Sequence, residues 1–460
     1  MKFRFLILLL LNYILISCGG SDDSSSGEII SQNPSIIVDK TSINFDNTMV
    51  SRTSASSFVM VESKNVNSSL NISSTDAFEI SFDNINFSNS LSLNANQSRS
   101  LYVRFRPSQV QNYSGYVDIQ NDEAKNVKIN LTGQGTQLKF NYKTFSQKRL
   151  AWGSGYSQGA SQNFDLHSDN SNIETIKMYI RLECPSDGCD PWDRFANILV
   201  KNQSNNQFYE IARHITPYGV GNSQLSRGLE VDVTDFKSIL TGNVEIRIYT
   251  ETWVSSGWVL SLEFDYLSGT PDYKYYQVTP VIQFNRNSLS GVPYGGENGQ
   301  TELDEVKFDL KKTITIGSNI KSVHFRTIIS GWGHATPADS DGRACAEWCF
   351  RTHKIKIDNV DKFSHYMGPI GCSSNPINNQ AGNWSPDRAG WCPGMVVPVR
   401  IDKFDANISD TTIDFEYYFQ PWTNNFVGTP GYNNKNAYNA ISTFIILKSD
   451  NQIDAAAVTN

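Results

Sequence analysis

Acidic residues, tryptophans and cysteines occur together in three short segments of this 460-residue sequence: Glu183–Arg194, Tyr249–Trp253 and Cys345–Arg351. We identify no serine nucleophile elbow, no H-E-x-x-H motif and no glycine-rich phosphate loop. Carboxylates are therefore the groups left to move protons in a reaction. Carboxylates acting as acid and base suit the hydrolysis of a glycan linkage.

Six cysteines follow the N-terminal segment, and an even number in an exported chain is typical of three disulfides. About 15 connectivities are possible from the sequence alone. A zinc site is the alternative, which we disfavour because no paired C-x-x-C motif occurs and because His334 and His353 stand alone. The six are Cys184, Cys189, Cys345, Cys349, Cys372 and Cys392.

Two pairs of these cysteines are so close in sequence that a disulfide would close a very small loop. Such a loop is worth about 2 kcal/mol, against about 3 kcal/mol for the more widely spaced pair. Its better use is local, because it would stiffen the backbone that carries Asp193 or Glu347. Ordinary loop bridges with solvated acids nearby fit the same pattern.

The third acidic candidate, Glu251, lies in a segment with the period-2 alternation of a β-strand. Val244, Ile246 and Ile248 share one face. The opposite face is a polar surface in solvent or the wall of a cleft where aromatic rings stack on sugars, and the pattern fits both. That face carries Glu245, Arg247, Tyr249, Glu251 and Trp253.

The elements that must position these residues are short alternating strands separated by Asn, Ser and Gly turns. In residues 34–137 they include Leu101–Phe105, Tyr116–Ile119 and Val127–Leu131. This layout predicts an immunoglobulin-like β-sandwich and resembles the hydin-type modules found beside bacterial catalytic domains. We expect it to be a spacer or protein-contact module, with sugar binding as the alternative.

Strand signals continue to the C-terminus, and no long segment has the 3.6-residue period of a helix. Examples are Ile176–Ile180, Val244–Ile248 and Phe325–Ile329. An all-β chain with two further sandwiches is therefore favoured over an α/β barrel. Turn residues at Gly269–Asp272 suggest a boundary between them.

The N-terminus predicts export. Residues 1–17 have the charged and apolar regions of a signal peptide, and the sequence before Cys18 resembles a bacterial lipobox. Cleavage and acylation there would anchor the chain to the outer membrane through the flexible tether 18–33, with cell-surface exposure as a further expectation. A plain signal peptide is the alternative. The net charge of -7 disfavours a nucleic-acid partner.

The candidate segments also carry a resemblance to a known family. TIKMYI, RGLEVDVTDF, IYTETW, ISGWGHA, CAEWCFRTH and PDRAGWCPGM resemble the peptide N-glycosidase F family, from about residue 138 to the end. That resemblance implies two adjacent eight-stranded antiparallel jelly-roll sandwiches, at 138–275 and 276–460. It also implies disulfides that join near neighbours, Cys184–Cys189, Cys345–Cys349 and Cys372–Cys392.

The resemblance implies an amidase that cuts between asparagine and the first GlcNAc of an N-linked glycan, without a metal or other cofactor. It places catalytic carboxylates at Asp193, Glu347 and Glu251, with Arg388 organising the substrate. The substrate-binding residues it implies besides Arg388 are Asp190, Trp192, Arg194, Trp253, Trp332, His334 and Trp391.

The sequence departs from the family pattern at Gly219, Pro191 and Ser256, which leaves the tolerance of particular glycans open. Two other functions compete with the amidase. An endo-β-N-acetylglucosaminidase would cut between the two core GlcNAc residues, and a non-catalytic lipoprotein would only bind N-glycans. The partners expected for the amidase are N-linked glycoproteins and glycopeptides, bound by a monomer.

Overall fold

The computed structural model describes residues 33–293, 296–297, 308–335, 342–405, 407–419, 422–424 and 437–460. The predicted signal peptide, Cys18 and all but the last residue of the tether lie outside these ranges. The described chain is built from β-strands, with 3-10 helices of three residues at Asn170–Asn172, Thr234–Phe236 and Cys372–Ser374. Within it, no helix has the length and apolar character needed to cross a membrane.

One compact unit comprises Arg52–Pro107 and Asn112–Gln134 together with the described residues up to Thr48. A four-stranded sheet of order β1-β4-β8-β6 faces a second sheet of order β2-β10-β9-β5-β7, to which β3 is added through β10. Its strands are β1 Ser35–Val38, β2 Ser42–Asn44, β3 Thr48–Met49, β4 Ser57–Lys64, β5 Leu70–Ser74, β6 Phe78–Ser81, β7 Ser90–Leu93, β8 Ser98–Phe105, β9 Asn112–Gln120 and β10 Val127–Thr136.

The core of this unit follows from the alternation in its sequence. In β8, Leu101, Val103 and Phe105 are fully buried, while the residues between them are partly exposed. The strand ends at Phe105 because Pro107 follows and cannot continue a central strand. The three strands predicted for this region are confirmed within β8, β9 and β10.

The second compact unit holds Gly135–Asn460, and its first sandwich has sheets of five and four strands. The five-stranded sheet has the order β11-β19-β14-β17 with β12 beside β19, and the other sheet has the order β13-β18-β15-β16. The strands are β11 Lys139–Lys143, β12 Lys148–Leu150, β13 Gly159–Asp165, β14 Ile173–Glu183, β15 Phe195–Lys201, β16 Phe208–Ile215, β17 Leu229–Asp232, β18 Asn243–Thr250 and β19 Trp258–Ser268.

The other sandwich of this unit also has sheets of four and five strands, of orders β20-β29-β23-β26 and β25-β24-β27-β22-β30. A short parallel pair, β21 and β28, stands apart from them. The strands are β20 Tyr275–Ile282, β21 Gly296–Glu297, β22 Lys311–Ile316, β23 Ser322–Gly333, β24 Arg351–Ile357, β25 Val360–Met367, β26 Val399–Lys403, β27 Thr411–Phe419, β28 Thr423–Asn424, β29 Ala437–Ser449 and β30 Ala457–Thr459.

This architecture confirms the all-β prediction. Within the described residues, each of these two sandwiches has eight longer strands and one strand of three residues, β12 or β30. The strands predicted at Ile176–Ile180, Val244–Ile248 and Phe325–Ile329 are confirmed within β14, β18 and β23.

The two sandwiches of the second unit share buried side chains. Phe444 and Ile446 of β29 join the core of the first sandwich, whereas Phe195 of β15 joins the core of the second. The segment after Pro393 adds to β16, because Ile215 donates its N–H to the carbonyl of Met395 at 2.9 Å. The sandwiches therefore meet along a continuous packed interface, and the candidate carboxylates lie at one of its edges.

Candidate active site

Asp193 stands between a disulfide loop and the start of β15. Cys184 and Cys189 are bonded, and β15 begins two residues after Asp193. The neighbouring Arg194 is tied to Thr216, whose hydroxyl accepts the Arg194 N–H at 2.8 Å and whose N–H donates to the Arg194 carbonyl at 3.0 Å. The backbone on both sides of Asp193 is thus fixed, which positions its side chain.

Glu347 is held by the second small disulfide loop, Cys345–Cys349. Its N–H donates to the carbonyl of Gly333 at 3.1 Å, and its own carbonyl accepts the N–H of Ala389 at 2.8 Å. The loop therefore connects the end of β23 with the segment that carries Arg388. The third disulfide joins Cys372 to Cys392, so the structure contains the three pairs that the family resemblance implies.

Arg388 brings the two carboxylates together. Its Nη2 lies 3.7 Å from Oδ2 of Asp193, and its Nε lies 3.5 Å from Oε1 of Glu347. The guanidinium is 1% exposed, whereas each carboxylate side chain is 14% exposed. Two acidic groups from different sandwiches thus share one buried positive charge and still reach the surface of the cleft.

The environment of Arg388 fixes its guanidinium from several sides. Nη2 donates to the hydroxyl of Tyr218 at 3.0 Å and to the carbonyl of Asn383 at 2.6 Å, and Nη1 donates to the carbonyl of Pro386 at 2.8 Å. The guanidinium also lies 4.4 Å from the centre of the Trp348 ring. A cation held this rigidly gives the two carboxylates a constant electrostatic partner.

The pKa of Asp193 is raised to about 6, mainly by burial and then by the neighbouring Glu347 carboxylate. Arg388 and the Tyr218 hydroxyl offset part of this increase. Burial likewise raises the pKa of Tyr218, with Asp193 contributing. A carboxyl that titrates near neutral pH can both accept and donate a proton under physiological conditions.

His334 flanks Glu347 on the exposed side of the cleft. Its Nε2 lies 3.5 Å from Oε2 of Glu347, and the Trp348 indole N–H donates to the same nitrogen at 2.9 Å. The neighbouring Glu347 carboxylate raises the pKa of His334, with burial opposing this effect. The imidazole is 61% exposed, so a ligand in the cleft can reach it.

Glu251 lies at the same end of the sheet as Asp193, because β15 and β18 are adjacent and antiparallel. Its N–H donates to the carbonyl of Phe195 at 2.8 Å. Its carboxylate forms an ion pair with Arg286, which follows β20 in the other sandwich. Within the described ranges, no hydrogen bond or ion pair joins Glu251 to Asp193 or Glu347.

Asp190 is fully buried and bonded on every side. Its carboxylate accepts from Nε of Arg194 at 2.8 Å, from the Thr252 hydroxyl at 2.7 Å and from the Trp192 N–H at 3.0 Å. The sequence interpretation assigned Asp190 to substrate binding. Because no surface of this residue reaches the cleft, the structure instead favours a positioning role, in which Asp190 orients Arg194.

The candidate tryptophans fall into two groups. Trp192 and Trp253 are 58% and 50% exposed. Trp391 is fully buried and stacks on the partly buried Trp332 with ring centres 4.9 Å apart. Trp192 and Trp253 are therefore accessible to a substrate. Trp391 and Arg388 are buried and support the wall of the cleft without being exposed in it.

Three residues of this site are not predicted from the sequence: Tyr218, Trp348 and Arg286. Tyr218 and Trp348 could have been noticed because each stands beside a residue already singled out, Gly219 and Glu347. No local signal marks Arg286. The two departures Gly219 and Pro191 are neighbours, since a Cβ on Gly219 would lie 3.9 Å from Cα of Pro191.

Gly155–Gly159 fits the G-x-S-x-G pattern of a serine elbow, so the expectation that this motif is absent is wrong. That elbow requires a turn from a strand into a helix, with a histidine as base. Here the turn leads into β13, and the Ser157 hydroxyl donates to the carbonyl of Gly159 at 2.8 Å. The match therefore lacks the structural context of a nucleophile.

One group of potential metal ligands occurs in the described part of the chain, Cys372, Asp387 and Cys392. The two cysteines are bonded to each other, so neither offers a thiolate. The Asp387 carboxylate instead accepts the N–H groups of Ile370, Gly371 and Cys372 at 2.8–3.1 Å. This group stabilises the loop that precedes Arg388.

The fold and the site are typical of a hydrolase that works by proton transfer. Two antiparallel sandwiches adjoin each other, and carboxylates from both lie around one buried arginine. Comparison with known proteins is more specific. Residues 196–266 match the family model described as "Peptide-N-glycosidase F, N terminal", and residues 301–444 match "Peptide-N-glycosidase F, C terminal".

A relative from Elizabethkingia miricola, peptide-N(4)-(N-acetyl-beta-D-glucosaminyl)asparagine amidase F, is 53% identical over 321 residues, which cover 70% of this chain and 87% of that protein. The solved structure of PNGase F, a glycosylasparaginase from Flavobacterium meningosepticum, is 51% identical with a TM-score of 0.64, covering 70% of this chain and 100% of that one. The chain therefore belongs to the peptide-N-glycosidase F family.

A more distant structure supports the fold alone. PNGF-II is 12% identical, has a TM-score of 0.52 and covers 86% of this chain and 82% of its own.

Proposed function

We propose that this chain hydrolyses the amide bond between an asparagine side chain and the first GlcNAc of an N-linked glycan. The reaction releases the whole glycan as a glycosylamine, which then loses ammonia, and converts the asparagine to aspartate. Family membership supports the activity. The observation that carries it is the placement of Asp193 and Glu347 on either side of the buried Arg388.

An amide is a poor electrophile and its amine is a poor leaving group, so hydrolysis needs a base for water, an acid at nitrogen and stabilisation of the oxyanion. Asp193 suits the role of principal acid and base, because its pKa of about 6 allows both protonation states near neutral pH. It reaches the cleft at the end of the sheet where the exposed Trp192 can contact the first GlcNAc.

Glu347 and His334 are the polar groups beside Asp193 that a bound asparagine carboxamide can reach. Arg388 would act behind Glu347, where its fixed positive charge holds both carboxylates in line and favours the negative charge that develops on the carboxamide oxygen. Glu251, paired with Arg286, would act on the reaction through an ordered water. No cofactor takes part in this scheme.

The proposed substrates are N-linked glycoproteins and glycopeptides, bound by a monomer. The segment before Cys18 supports export and acylation of that cysteine. Labelling with a radioactive or clickable fatty acid in a bacterial host tests the anchor. The full chain should incorporate the label, and Cys18→Ser should not.

Mass spectrometry of one defined N-glycopeptide tests the activity. The chain without residues 1–18 should release the intact chitobiose-bearing glycan and leave aspartate in the peptide. Asp193→Asn should not, whereas Asp361→Asn, which changes an aspartate that is 46% exposed and paired with Lys354, should act like the unmodified chain. A peptide that still carries one GlcNAc would indicate an endoglycosidase, and uncleaved substrate would indicate a binding protein.

A further inference from the structure

A groove of about 670 Å³ lies on the first sandwich of the catalytic unit, beside the candidate active site. It is formed by the turn between β12 and β13 together with the adjoining ends of β13 and β18. No residue assigned to the site above lines it. Its lining includes Trp152, Tyr156, Gln158, Ser161, Arg247 and Tyr249.

Aromatic rings dominate the exposed surface of this groove. Trp152 is 49% exposed and Tyr156 is 44% exposed. The ring of Trp152 meets the half-exposed Trp253 edge to face, with ring centres 4.9 Å apart. Neighbouring exposed aromatic rings indicate a binding surface more strongly than single ones do, and their faces suit the apolar C–H face of a sugar ring.

The turn that carries these rings is rigid. Trp152 donates its N–H to the carbonyl of Val254 at 2.9 Å, and Ala151 donates to the carbonyl of Ser157 at 3.0 Å. Gly153 and Gly155 both have positive φ, which allows the tight turn between Trp152 and Tyr156. The platform is therefore formed before any ligand arrives, which reduces the entropic cost of binding.

Polar groups border the aromatic rings. Arg149 lies 4.6 Å from the centre of the Tyr156 ring and is itself held by Asp187 at 2.7 Å. The exposed Arg247 stacks on Phe208 at 3.7 Å. Rigid rings combined with a few polar groups are the usual composition of a specific site for a polar ligand.

The groove adjoins the elements that carry the candidate active site. Tyr249 lines it and stands two residues before Glu251, which directly follows the last residue of β18. Trp253 follows Thr252, whose hydroxyl is bonded to Asp190 below Arg194. A ligand that begins at Asp193 and passes Trp253 can therefore continue onto Trp152 and Tyr156.

We propose that this groove binds the outer sugars of the N-glycan, those beyond the two core GlcNAc residues, with Trp152 and Tyr156 as stacking platforms. This inference rests on the proposed amidase function, because it assumes that the asparagine linkage lies at Asp193. The groove then selects substrates by glycan length, since only a glycan that extends beyond the two core GlcNAc residues reaches it.

Kinetics on two matched glycopeptides test this proposal. Both carry the same peptide, one with GlcNAc2 alone and one with a complex biantennary glycan. Trp152→Ala and Tyr156→Ala should each raise KM for the long substrate about three- to tenfold, the range expected for losing one aromatic contact. For the short substrate the rise should be less than about twofold, and Trp152→Phe should recover most of the loss.

Phe58→Ala is the matched control, because it removes a similarly exposed ring, 47%, from the other compact unit. It should leave both substrates unaffected. Equal losses on the long and short substrates, or a loss on neither, would overturn the proposal.

Calorimetric binding of the free biantennary glycan to Asp193→Asn separates this inference from the proposed reaction. If the unmodified chain cleaves no amide but Trp152→Ala still weakens binding in the Asp193→Asn background, the reaction is wrong and the groove assignment stands. If amide cleavage occurs and Trp152→Ala leaves glycan binding unchanged, the groove assignment is wrong.

Discussion

Arg213 and Arg388 are both buried where the two sandwiches of the catalytic unit meet, and they are partnered very differently. Arg213 is fully buried and binds Glu210 through two hydrogen bonds of 2.9 and 2.7 Å. Its remaining nitrogen donates to the Ser330 hydroxyl at 2.9 Å and to the carbonyl of Ala440 at 2.6 Å. Glu210 also accepts a hydrogen bond from the Ser442 hydroxyl at 2.5 Å. Each guanidinium nitrogen of Arg213 and both carboxylate oxygens of Glu210 therefore have a hydrogen-bond partner.

Arg388 instead faces its two carboxylates across 3.5 and 3.7 Å. In the described part of the chain, Nε of Arg388 and the buried Oδ2 of Asp193 have no hydrogen-bond partner. Unsatisfied buried polar atoms are costly, and a pair of them on an arginine and a carboxylate whose pKa is raised fits a site that keeps its groups free for a ligand. Arg213, Glu210 and Ser442 form the Arg213 cluster, which joins the two sandwiches. Arg388, Asp193 and Glu347 form the Arg388 cluster, which keeps its carboxylates available for a reaction.

The sharpest test of this contrast is Glu347→Gln. It keeps the size of the side chain but removes a charge beside Asp193 and Arg388. We expect kcat for glycopeptide hydrolysis to fall by about 10²- to 10⁴-fold, the usual contribution of an acid–base group. The free energy of unfolding in urea should change little, because the carboxylate has no short hydrogen bond to lose. Full activity in this variant would contradict the role assigned to Glu347.

Glu210→Gln should show the opposite behaviour. The change leaves the charge of Arg213 buried without compensation, which typically costs about 3–5 kcal/mol of stability. Urea unfolding measures this loss, and kcat per folded molecule should remain that of the unmodified chain. Ser442→Ala is the milder variant, with an expected loss of about 1 kcal/mol. If both variants unfold like the unmodified chain, the Arg213 cluster does not join the sandwiches.

Asp193→Asn distinguishes the Arg388 cluster from the Arg213 cluster through the pH dependence of the free energy of unfolding. The pKa of Asp193 is about 6 in the folded chain and 3.8 as the reference value, so below pH 3.8 both states bind the proton and the carboxyl favours neither. Between pH 3.8 and 6 the unfolded chain releases this proton while the folded chain retains it, so the stability of the unmodified protein falls across this range. Above pH 6 the loss is complete and amounts to about 3 kcal/mol relative to the asparagine variant.

Thermal unfolding of both proteins at pH 3 and pH 8 measures this difference. Asp193→Asn should be the more stable protein at pH 8, although it is inactive, and the two should converge at pH 3. A variant that is less stable at pH 8 would mean that the Asp193 charge stabilises the fold, as the Glu210 charge does.

Much of this protein can be read from local sequence. Alternation of apolar and polar residues predicts individual strands because successive side chains of a strand point to opposite faces, and the six predicted strands are confirmed. Long motifs such as CAEWCFRTH carry the family resemblance and, with it, the fold of the catalytic unit. They also place Asp193 and Glu347 beside small disulfide loops.

Only the tertiary structure decided which of these residues meet. Periodicity tells which face a side chain occupies but not which distant strand packs against it. It therefore could not pair Glu251 with Arg286, bond Arg213 to β29, or place Arg388 between Asp193 and Glu347. Burial is also a property of the whole fold, and it separates Asp190 and Trp391, which support the cleft, from Trp192 and Trp253, which face it.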